Sequence, residues 1–87
     1  MNEIKVKLTY KCLEGYNEND FKKILISKID EGPKEENIQY EILFNEDGCI
    51  IVAKSTYPLK MLQFYIEGNI LRIDEEYKHI SDFTISH

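Results

Sequence analysis

From Glu3 to Cys12 apolar and polar positions alternate without a break. Ile4, Val6, Leu8, Tyr10 and Cys12 fall on one face, and Lys5, Lys7, Thr9 and Lys11 on the other. Period two over this length predicts a half-buried strand over 3–12. The period then lengthens. Phe21, Ile24, Leu25, Lys28 and Ile29 recur at helical spacing, which predicts a helix over about 18–31 with one apolar stripe. Asn17 followed three residues later by Asp20 has the form of a capping box with shortened side chains. Glu18 and Asp20 sit at the positive end of the helix dipole, and Gly32-Pro33 supplies the stop.

Alternation returns at Ile38, Tyr40, Ile42 and Phe44, and a second β-rich run, CIIVAKS, begins at Cys49. Asp47-Gly48 lies between the two runs, and glycine tolerates the positive φ of a tight hairpin turn. Strands over 38–45 and 49–55 are therefore expected to pair. The stretch from Tyr57 to Asn69, YPLKMLQFYIEGN, fits two patterns. As a helix it starts with Pro58 at its first position, stops at Gly68, and lines Leu59, Leu62 and Ile66 on one side. As a hairpin, Leu62, Phe64 and Ile66 alternate, the chain turns at Glu67-Gly68, and Ile70–Ile73 returns. Glu67 is poorly placed at the negative end of a helix dipole, and Phe64-Tyr65-Ile66 favours strand. The hairpin is the preferred expectation. Phe83 and Ile85 close the chain with a short alternating run.

These elements make a single two-layer α+β domain spanning 1–87, one helix packed on an antiparallel sheet in the order β-α-β-β-β-β. If 58–67 is helical, the order is β-α-β-β-α-β, that of a ferredoxin-like domain. Eighty-seven residues suffice for one domain. An apolar fraction of 43% supports a folded core rather than a disordered chain.

The net charge of −5 disfavours nucleic acid, whose non-specific affinity comes from cations on phosphates. No apolar run approaches the ~18 residues of a membrane span, and MNEIKVKLTY lacks the apolar core of a signal peptide. A cytoplasmic protein is expected, with Cys12 and Cys49 as reduced thiols. The ten lysines against one arginine, with Ile, Asn and Tyr common and Ala used once, are what an AT-rich genome encodes, such as that of a low-GC bacterium or its phage.

Candidate chemistry is sparse. His79 and His87 have no nucleophile or acidic partner at a recognisable spacing. The E-x-K fragments Glu3-x-Lys5 and Glu76-x-Lys78 match part of one nuclease pattern, but the Pro-Asp element that goes with it is missing. No cysteine spacing suggests zinc, and no glycine loop suggests phosphate, so no cofactor or metal is expected. The four glycines read as turn or cap residues.

Two charged sets remain. Glu46-Asp47 and Asp74-Glu75-Glu76 are acidic, and Lys5, Lys7 and Lys11 form a basic strand face. Arrayed carboxylates can occupy a protein surface built for phosphate; their simpler role is solubility. The lysine stripe can track a nucleic-acid backbone, but interleaved exposed aromatics are missing, and lysines on a strand face also discourage edge aggregation. The leading expectation is a non-enzymatic binding protein that docks on a larger protein partner through its acidic loops or a sheet edge. Size, acidity and codon bias suit a mobile-element inhibitor of a host defence machine, as anti-CRISPR proteins are; this is an analogy of type. The alternatives are a small-ligand domain or minor enzyme with a helix–sheet pocket, and a nucleic-acid module using the lysine face. An exposed edge strand also offers pairing with a second copy.

Overall fold

A computed structural model describes residues 1–30 and 38–86. Its elements are β1 (Asn2–Cys12), α1 (Glu18–Asp30), β2 (Ile38–Phe44), β3 (Gly48–Ser55), α2 (Leu59–Glu76) and β4 (Ser81–Ser86). The sheet order is β2-β3-β1-β4 and every pairing is antiparallel. The element order β-α-β-β-α-β is thus the second of the two anticipated, that of a ferredoxin-like domain.

The register explains the alternation in β1. Val6 pairs with Ile51, Leu8 with Cys49 and Ile85, and Tyr10 with Phe83. All point to one face, where Phe21, Leu25 and Ile29 of α1 complete the core. Tyr10 and Phe21 meet edge to face at 4.9 Å between centroids, and Phe83 lies 5.5 Å from Phe21. Asn17 caps α1, its Oδ1 accepting from the Asn19 N–H at 2.8 Å, with Glu18 and Asp20 in the first turn. The stop expected at Gly32-Pro33 lies outside the described residues.

The stretch preferred as a hairpin is helical, so the single-helix order is corrected. α2 runs through Gly68 for 18 residues, and Pro58 is its N-cap. Leu62, Ile66, Asn69, Ile70 and Ile73 form one buried stripe. An interior glycine costs about 1 kcal/mol relative to alanine. Burying each of Leu62, Ile66, Ile70 and Ile73, all at most 1% exposed, returns roughly 1.5–3 kcal/mol. Packing outweighs the glycine, so Gly68 neither ends the helix nor turns a hairpin. Leu59, expected on the inner face, is exposed.

The β2–β3 connection is a tight turn, as expected, but not by positive φ at Gly48, which adopts none. Asn45 Oδ1 accepts from the N–H groups of Asp47 and Gly48, both at 2.9 Å. Gly48 is already strand and opposes Thr9. A Cβ there would collide with the Leu8 carbonyl oxygen. The glycine therefore serves the close approach of two backbones.

Candidate functional site

Antiparallel pairing brings particular loops together. β1 and β2 end, and β3 and β4 begin, at the same end of the sheet. The Tyr10 N–H donates to the Asp47 carbonyl at 3.0 Å, fixing the β2–β3 turn beside the end of β1. α1 starts at this end and α2 finishes there, because Ser81, just after α2, pairs with Cys12. Both acidic groups picked out in the sequence, Glu46-Asp47 and Asp74-Glu75-Glu76, consequently share one end of the molecule. Glu18, Asp20 and Asp82 join them there.

The carboxylates differ in what holds them. Glu76 pairs with Lys28 at 3.7 Å and Glu18 with Lys22 at 4.0 Å, both surface pairs. Glu46 and Asp47 are exposed, and the turn beneath them is held by Asn45 and backbone groups. Glu75 is likewise exposed, and Asp74 is half-buried.

Lys5, Lys7 and Lys11 stand together on the sheet face opposite the helices. Lys54 shares that face and was missed in the sequence, because its strand does not alternate. β3 buries Val52 and Cys49 on opposite faces. Glu3, Glu41 and Asp82 occupy the same face, and Lys54 lies 3.9 Å from Glu3. This is a mixed surface rather than a basic track. Its exposed apolar member is Leu43, and no aromatic side chain stands on it among the described residues.

The E-x-K fragments dissolve on folding, since Glu3 pairs with Lys54 and Glu76 with Lys28. His79 is exposed and meets the edge of Tyr16 at 5.9 Å; His87 lies outside the described residues. Both cysteines are free. Burial pushes the Cys49 thiol up to about 11, and burial followed by the charge of Glu18 raises Cys12. Neither has the lowered pKa of an activated nucleophile. A groove of about 230 Å³ lies between α1 and β2, lined by Ile26, Ile29, Tyr40 and Ile42. Tyr40, one of the lining residues, accepts from Asn69 Nδ2 at 3.4 Å through its hydroxyl. Among the described residues, no three or more His, Cys, Asp or Glu side chains are grouped to hold a metal, and no helix is long and apolar enough to cross a membrane.

A further surface was hidden by the hairpin expectation. The outer side of α2 carries Met61, Phe64 and Leu71, exposed by 44%, 77% and 57%. With Gly68 and Glu75 they follow a 3-4-3-4 spacing, the seam of a helix pair. That spacing is present in the sequence and becomes visible once Gly68 is allowed inside a helix. No family model matches the chain, and no curated protein or solved structure matches it either.

Proposed function

We propose that this is a non-enzymatic binding module that docks the acidic end of its sheet on a basic surface of a larger protein. The observation that supports this reading is the convergence of Glu46-Asp47, Asp74-Glu75-Glu76 and the start of α1 at one end. Carboxylates held on a small rigid scaffold match, by charge, a site that otherwise takes phosphate. The natural target is a protein whose basic surface handles nucleic acid, and the biological role is inhibition of such a machine, a host defence complex being the type. The mixed charge of the lysine face favours this reading over nucleic-acid binding.

The test is affinity capture from lysate of a low-GC bacterium, with nuclease treatment, comparing wild type with Glu46→Lys/Asp47→Lys. Those side chains do not hold the turn, so the variant should melt as wild type does. The expected result is a nuclease-resistant protein partner, displaced by heparin and lost with the variant. A partner retained by the variant refutes the acidic-end reading. A partner lost on nuclease treatment shifts the weight to Lys5, Lys7 and Lys11.

A further inference from the structure

We propose that α2 pairs with the α2 of a second copy of this chain, antiparallel, about a two-fold axis beside Gly68. In that arrangement the apolar residues and the charged ends of the outer face of α2 meet one another, and Glu67, which accepts from Gln63 Nε2 at 3.4 Å, flanks the axis. With the axis at the middle of the seam, Phe64 lies opposite Leu71 of the partner subunit, and Leu71 opposite Phe64 of the partner subunit. At the ends, Lys60 faces Glu75 of the partner subunit. Neither Lys60 nor Glu75 has an ion-pair partner within its own chain among the described residues. Parallel pairing would instead set lysine against lysine, glutamate against glutamate, and align the two helix dipoles.

Gly68 sits at the centre of this face. It is interior to α2, adopts no positive φ, and a Cβ there would meet nothing within 4 Å. Nothing among the described residues requires a glycine there. A second helix crossing at that point does, since a missing side chain lets two backbones approach. Helix packing of this kind places knobs such as Phe64 and Leu71 into holes on the facing helix.

The area is consistent with a reversible dimer. Met61, Phe64 and Leu71, with the stems of Lys60 and Glu75, form a small patch, whereas stable specific interfaces bury ~1,200 Å² or more in total. The dimer is therefore expected to dissociate on dilution. It takes up Glu75 of the acidic end but leaves Glu46 and Asp47 outside the contact, so Glu46→Lys/Asp47→Lys tests docking without perturbing the dimer.

The experiment is sedimentation velocity of the full chain over a concentration series to about 1 mM, at low salt. Wild type, Phe64→Asp, Lys60→Glu, Glu75→Lys and the Lys60→Glu/Glu75→Lys double variant are compared, each checked for its urea midpoint. All these positions are exposed, so the fold should survive. Wild type is expected to dimerise, and Phe64→Asp to remain monomeric. Each single charge reversal should weaken association about ten-fold or more, and the double swap should return it to within about three-fold of wild type. A wild type that stays monomeric throughout overturns the proposal, as it would if the face served another protein or a lipid surface. So does a dimer that survives Phe64→Asp, or a double swap no better than the weaker single reversal.

Discussion

Two glycines make the sharpest test of this structure, because the same substitution should act on them with opposite sign. Gly68 lies inside α2 with open space where a Cβ would go and no positive φ. Replacing it with alanine removes the entropy cost of a glycine in a helix and adds no clash. The expected gain is about 0.8–1.0 kcal/mol. Gly48 lies in β3 against the backbone of β1, where a Cβ would collide with the Leu8 carbonyl. That oxygen belongs to backbone in the centre of the sheet and cannot swing aside. Gly48→Ala should therefore force β1 and β3 apart and cost about 1–3 kcal/mol or more, as overpacking does. Urea denaturation reads both. With an m-value of roughly 1–3 kcal/mol/M, the Gly68→Ala midpoint should rise by about 0.3–1 M and that of Gly48→Ala should fall by at least as much. Protein must be dilute enough that association does not contribute to stability. If Gly68→Ala is neutral or destabilising in the monomer, α2 is not continuous through residue 68 and a turn at Glu67-Gly68 returns. If Gly48→Ala is tolerated, the register of β1 against β3 is wrong.

Two further outcomes follow from the core. Ile66, fully buried in the stripe of α2, should cost about 2–5 kcal/mol when changed to alanine, read from the same urea midpoints; a cost near zero would mean that the stripe does not face the sheet. Burial, then the charges of Cys49, Glu18 and Cys12, push the Tyr10 hydroxyl up to about 12, and burial pushes the Cys49 thiol up to about 11. Both folded values exceed the ordinary ones of 10.0 and 9.0, so the folded state holds its protons longer. This contribution is complete below pH 9 and is lost as pH rises towards 12. Tyr10→Phe removes a buried hydroxyl that has no hydrogen-bond partner among the described residues. It should be near neutral or stabilising at pH 7 and should flatten the alkaline loss measured by thermal melts against pH; an unchanged alkaline limb would show that Tyr10 does not titrate in this window.

Where the pattern of side chains was local and regular, the sequence determined the element. Five alternating apolar residues made β1, and one stripe with an Asn17 cap made α1. Two β-rich runs around an Asn-Glu-Asp-Gly turn made β2 and β3, and Phe83 and Ile85 marked β4. Composition likewise determined an acidic chain with enough apolar residues for a folded core. The stretch from Tyr57 to Asn69 stayed ambiguous because Leu62 and Ile66 are four apart, a spacing that suits a helix face and a strand face alike. Tertiary structure decided it. Ile70 and Ile73 extend the stripe only if Gly68 is spanned, and the energy that spans it comes from burial against the sheet, which local propensity does not contain. The candidate sites divide the same way. The acidic residues were legible as charges, but that Glu46 and Glu75 share one end of the molecule follows from antiparallel strand order. The outer seam of α2 and the need for glycine at position 48 were set by contacts between segments distant along the chain, and such contacts exist only once the backbone has packed.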